Sequence, residues 1–139
     1  MKIKMCTLKY SLLALSLGFM VSASASSTAG DIYIISNPAT KLSATEAKDA
    51  FLGEQQFVDG KALVIVNNAA ITDDFTNKVL HMGTSGYKLY WVKKSFRDGV
   101  KLPVTKANDA EVLNIVKSTA GAIGYVTSEP SGVNVIQKY

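Results

Sequence analysis

The chain has 139 residues with 15 basic and 11 acidic side chains, a formal net charge of +4, one cysteine and one histidine. Three of the bases (Lys2, Lys4 and Lys9) and Cys6 lie in the first ten residues, so from Ser26 onward 12 bases face 11 acids, a net charge of +1, with no thiol. That balance offers no bulk-charge case for nucleic acid or an anionic membrane, and the lack of cysteine excludes a disulfide framework and a thiol nucleophile.

The first segment reads as a targeting sequence. Lys2, Lys4 and Lys9 precede an apolar run over residues 11–21, and the small residues Ser22, Ala23, Ser24 and Ala25 follow it. This order predicts a secretory signal peptide over 1–25, cut after Ala25, because the run falls well short of the ~20 apolar residues that span a bilayer. Cys6 precedes the run, where an acylated lipoprotein cysteine would follow it. The expectation is a periplasmic or secreted protein with no membrane insertion after cleavage. Its single domain would be residues 26–139, a length that supports one core.

Residues 31–35 (DIYII) predict a first strand, closed by Ser36-Asn37-Pro38. Ser43-Ala44-Thr45-Glu46 fits a capping box, with Leu42 at the staple position and Gly53 as the stop of that helix. Asp59-Gly60 is a turn dipeptide, and residues 62–66 (ALVIV) form an apolar, β-branched run too short for a helix, which predicts a strand buried on both faces. After the loop beginning Asn67-Asn68, Ile71, Phe75 and Val79 recur at helical spacing, with Thr72 as the expected cap, Asp73-Asp74 in the first turn and Gly83 as the stop.

Residues 85–96 predict another helix, with Leu89, Val92 and Phe96 on one stripe and Tyr87, Tyr90 and Trp91 near a second, one of which should be buried. Residues 100–106, containing Pro103, read as a loop or short extended piece. Asn108-Asp109-Ala110-Glu111 is a second capping-box pattern, opening a helix with a Val112, Leu113 and Val116 face that stops at Ala120-Gly121. Residues 122–126 and 133–137 predict the last strands. Alternating strands and helices predict an α/β fold, a three-layer sandwich with a mostly parallel mixed sheet.

Several of these motifs in order resemble a known family. Phe51-Leu52-Gly53, Asp59-Gly60 before a buried strand, Tyr90-Trp91, Asp109-Ala110-Glu111-Val112 and above all Gly121-Ala122-Ile123-Gly124-Tyr125-Val126 resemble the periplasmic phosphate-binding proteins of ABC importers, and more closely their short single-lobe relatives. The resemblance implies one lobe of a type II periplasmic-binding-protein fold, solute transport, and a small oxyanion such as phosphate as ligand. Two departures stand out. There is length for one lobe where full members have two. The Arg and Gly-Ser-Gly-Thr loop of the family is replaced by Asn67-Asn68-Ala69-Ala70-Ile71-Thr72, followed by Asp73-Asp74.

The candidate ligand-binding residues are therefore Ser36, Asn37, Asn67, Asn68 and Thr72, with backbone N–H groups near Thr72 as anion donors. Asn67, Asn68 and Thr72 equally suit plain turn chemistry, and Ser36 and Asn37 join them only if the first strand runs parallel to its neighbours. No catalytic, metal or cofactor site is expected: His81 alone cannot hold zinc, and it reads as a surface residue at a helix end. Lys93, Lys94 and Arg97 read as a solvated face, with an anion-attracting patch as the alternative, and Tyr87, Tyr90 and Trp91 could stack on a ligand or partner or be buried. The alternative to solute binding is an interaction module that docks on another envelope protein or forms a homodimer through the open sheet edge or the Tyr-Trp helix.

Overall fold

The computed structural model describes residues 30–139, so the expected signal peptide lies outside the described residues. Five strands form one sheet: β1 (Tyr33–Ser36), β4 (Val64–Asn68), β5 (Val104–Lys106), β6 (Ala122–Val126) and β7 (Asn134–Lys138), in the order β5-β4-β6-β1-β7. β4 pairs parallel to β5 and β6, while β1 pairs antiparallel to β6 and β7. Four strands therefore point one way and β1 alone opposes them. A small hairpin, β2 (Phe57–Val58) and β3 (Lys61–Ala62), stands apart and turns through Asp59 and Gly60, both at positive φ.

Helices cover both faces, giving the expected three-layer α/β sandwich with a mixed, mostly parallel sheet. Strand alternation decides which residue meets which layer. Ile34, Ile65, Ile123 and Tyr125 point towards α1 (Ala44–Phe51), α2 (Thr72–Phe75) and α3 (Thr84–Asp98), while Ile35, Val66, Ala122 and Val126 pack on α4 (Asp109–Ser118). In the first layer Phe75 stacks on Tyr125 with ring centroids 3.8 Å apart, and Phe51 meets both rings edge-on.

Local signals explain most boundaries. Ser43 and Glu46 complete the capping box, Glu46 N donating to Ser43 Oγ and Ser43 N to Glu46 Oε2. Asn108 caps α4 through Glu111 N, but the Glu111 carboxylate accepts from Ala107 N, so the second box closes one residue early. Thr72 is not the cap of α2. Ile71 occupies that position without a side-chain bond, and the Thr72 hydroxyl donates back to Asn68 O at 2.7 Å. α2 runs into a π-helical turn over Thr76–Leu80 that ends at exposed His81 in the left-handed region, φ 54°.

Two other expectations change. The strand expected over residues 62–66 begins at Val64 and reaches Asn68, because Lys61–Ala62 belongs to the hairpin. Lys94 is not on a solvated face. Its side chain is buried, bonded to Glu54 at 2.9 Å and within 3.5 Å of Asp98.

Candidate functional site

The carboxyl ends of β4 and β5 open into a cleft of about 310 Å³ between the loop after β4 and the first turns of α3, bordered by Asn67, Thr72, Asp73, Thr84, Lys88 and Thr105. Asn67 is its floor. Only 9% exposed, it takes a hydrogen bond on Oδ1 from the Tyr87 hydroxyl at 3.2 Å, while the single proton of the Tyr125 hydroxyl is shared between Thr72 Oγ1, at 3.3 Å, and Asn67 Oδ1, at 3.5 Å. Burial pushes both phenols up, so each remains an O–H donor throughout the physiological range. With its oxygen taken, the Asn67 amide turns Nδ2 to the cleft, where it meets no acceptor among the described residues.

The remaining groups are mixed in charge. Thr84 Oγ1 donates to Asp73 Oδ1, so the Asp73 carboxylate is held at the cleft wall. Asp74 is exposed and takes no part in the lining. Lys88 supplies the one cation, on the outer rim. A more apolar recess of about 290 Å³ continues along α3 past Trp91, Val92, Leu102 and Pro103 and shares Asn67, Tyr87, Lys88 and Thr105 with the cleft.

Three backbone donors of the loop before Thr72 are already engaged. Ala69 N donates to Lys106 O at 2.8 Å, Ala70 N to Asn68 Oδ1 at 3.2 Å and Ile71 N to Asn68 O at 3.1 Å. Asn68 itself is fully buried and serves the fold: Nδ2 donates to Asp109 Oδ1 at 2.6 Å and to Tyr125 O at 3.3 Å. Asp109 in turn accepts from Thr127 N at 3.0 Å and Thr127 Oγ1 at 2.7 Å. Burial raises the Asp109 carboxyl, but the hydrogen bonds from Thr127, Asn68 and the Ser128 backbone outweigh it and hold its pKa below the usual carboxylate range. A carboxylate of the chain's own thus fills the donor cluster where β4, β6 and α4 meet.

Ser36 and Asn37 lie at the other end of the sheet. Because β1 is antiparallel, Ser36 sits beside Ile123, which is level with Ile65 near the start of β4. Their polar atoms hold the fold there: Ser36 Oγ donates to Thr40 O at 2.7 Å, and Asn37 Nδ2 donates to Val116 O at 2.9 Å, closing the last turn of α4. Of the five candidates, the structure brings together Asn67, Asn68 and Thr72, and only Asn67 and Thr72 face the cleft. Thr84, Lys88, Thr105 and Tyr125, which also border or support the cleft, were not among the sequence-based candidates. Tyr87 carried a signal, as part of an aromatic stripe, but nothing local in the sequence ties Thr84, Thr105 or Tyr125 to Asn67.

Among the described residues no group of three His, Cys, Asp or Glu side chains could hold a metal ion, and no helix is long and apolar enough to cross a membrane. Among solved structures the chain is similar to the crystal structure of an ABC-type phosphate transport receptor from Vibrio cholerae, with 14% identity and a TM-score of 0.46, over 78% of this chain and 46% of that one. The chain thus spans about half the length of that receptor. No family model and no curated protein matches it.

Proposed function

We propose that the chain is an exported, non-catalytic solute-binding lobe whose cleft at Asn67 receives one small polar solute. The observation that carries this reading is the Asn67 amide: a residue nine-tenths buried, its oxygen held by the buried Tyr87 phenol, with its NH2 turned to the cleft and no acceptor of its own among the described residues. Among the described residues no buried side-chain polar atom lacks a partner, so Nδ2 still reaches solvent through the cleft, a pre-oriented donor free to meet an acceptor oxygen of a bound solute.

Phosphate is the solute that the family resemblance implies. The cleft supports it less well than a solute with one acceptor group and one hydroxyl or ammonium group. Asp73 repels a dianion and accepts from a donor, Lys88 is the lone cation of the lining, and the N–H groups of Ala69, Ala70 and Ile71 are taken. Calorimetry and thermal shift with about 1 mM inorganic phosphate, a small zwitterionic amino acid and a small polyol test the proposal against the weak affinities such a half-open cleft would give. The expected result is a saturable heat with the zwitterion or the polyol that Asn67→Leu abolishes. No heat with any of the three, or phosphate binding that survives Asn67→Leu, would refute it.

A further inference from the structure

The near-neutral charge of the domain is unevenly distributed. Residues 84–106 carry Lys88, Lys93, Lys94, Arg97, Lys101 and Lys106 against a single acid, Asp98. Lys94 and Arg97 are tied to Glu54 and Asp98, whereas Lys88, Lys93, Lys101 and Lys106 make no ion pair among the described residues. The same stretch carries the exposed apolar residues of α3.

At ~100° per residue, Tyr87, Trp91 and Lys94 form the buried face of α3, and Leu89, Val92 and Phe96 stand on the opposite side. They are 53%, 43% and 90% exposed. Lys88 flanks this line on one side and Lys93 on the other, while Leu102, 54% exposed, borders the recess next to Val92. The result is a convex apolar ridge about 10 Å long, facing away from the core and edged by lysines. An apolar line so oriented adds nothing to the core and marks a surface that meets something else.

The rim chemistry discriminates between occupants. A second copy packed on the same ridge would bring like charges face to face. Protein interfaces are depleted in lysine and favour arginine, and the one arginine here is already paired with Asp98. Lysines on both flanks of a Leu, Val and Phe line suit a lipid surface, because their stems lie along the apolar boundary while the ammonium groups reach phosphate. We propose that this face of α3 docks on an anionic phospholipid bilayer, with the helix in the plane of the surface. Leu89, Val92 and Phe96 enter the boundary between headgroups and acyl chains, and Lys88 and Lys93 lie at headgroup level.

The test uses the protein as its host exports it, mixed with vesicles of phosphatidylcholine alone or containing about 30 mol% phosphatidylglycerol, and separated by flotation. At about 0.1 M salt the protein is expected to partition at least about tenfold more onto the anionic vesicles, and about 0.5 M salt should release most of it. Leu89→Ser with Phe96→Ser should abolish binding and Lys93→Glu should reduce it strongly, each with an unchanged circular dichroism spectrum, since all three side chains are exposed. No partitioning, equal partitioning onto neutral vesicles, or binding unchanged in the Leu89/Phe96 variant would overturn the proposal. So would a dimer in sedimentation that Phe96→Ser converts to monomer, which would assign the ridge to a second copy.

Discussion

Gly124 is the position where one added carbon should be felt most clearly. It lies in β6 opposite Ile35 of β1, beneath α4. A Cβ built there would stand 2.8 Å from Val112 Cγ1, 3.3 Å from Val66 O and 3.4 Å from Val116 Cγ2. Val66 O belongs to the neighbouring strand and cannot retreat without disturbing the sheet. Val112 and Val116 are β-branched, stiff at χ1 and fully buried. The helix must therefore lift, and overpacking of this kind costs about 1–3 kcal/mol. In a domain of this size that is a fall in Tm of about 5–20 °C. Urea denaturation of Gly124→Ala should show a lower midpoint with the slope unchanged, since native compactness is retained. The cause can be isolated by coupling it to Val112→Ala, which removes the nearest methyl. The double variant should be less destabilised than the two single losses added together, by about 1 kcal/mol or more. A Gly124→Ala protein within about 0.5 kcal/mol of wild type, or strict additivity with Val112→Ala, would refute the packing argument.

Two further outcomes follow from side chains that the fold has drawn inward. The Asp109 carboxyl has a lowered folded pKa, so the stability that it contributes is present above its unfolded value of about 3.9 and is lost as pH falls through the lower folded value. Asp109→Asn should lower the urea midpoint at pH 7 and differ progressively less from wild type below about pH 4, whereas an equal deficit at both pH values would show that the charge is immaterial. Lys94 acts through its stem as well as its charge. Its Cδ and Cε pack where a side chain on Gly53 would stand, and Glu54, its closest ion partner, is largely exposed. Lys94→Met should remain near wild type in thermal unfolding, while Lys94→Ala loses about 2 kcal/mol of methylene burial. Equal losses in the two would place the effect in the ion pair instead.

Where the local chemistry is self-contained, the sequence reads directly onto the fold. Ser43 with Glu46, Asp59-Gly60 and the strand at Ile65 and Val66 are each specified by neighbours a few residues away. The family-like Gly-Ala-Ile-Gly-Tyr-Val run also becomes legible as packing. Gly121 takes a positive φ against the backbone of Ala62, Gly124 admits α4, and Tyr125 reaches the opposite layer to stack on Phe75. The π-helical turn at Thr76–Leu80 had no such signal, because its residues keep a helical apolar pattern and differ only in which carbonyl each N–H finds.

The candidate site divides along the same line. From the sequence alone, the strand, loop and helix unit around Asn67 and Thr72 was determined, together with the absence of Arg and Gly between Asn67 and Thr72, since both depend on residue type at adjacent positions. Strand direction was not, because β1 is antiparallel only by virtue of pairing with β6 and β7, nearly a hundred residues downstream, and that pairing carries Ser36 and Asn37 to the far end of the sheet. Nor could the sequence decide that Asn67 is oriented by Tyr87, that Asp109 satisfies Asn68, or that α3 buries Tyr87 and Trp91 and leaves Leu89, Val92 and Phe96 outside. A helix with two apolar stripes has two ways to lie on a sheet. Only the packed layer chooses between them, by which set of side chains fills the space above Ile65, Ile123 and Tyr125.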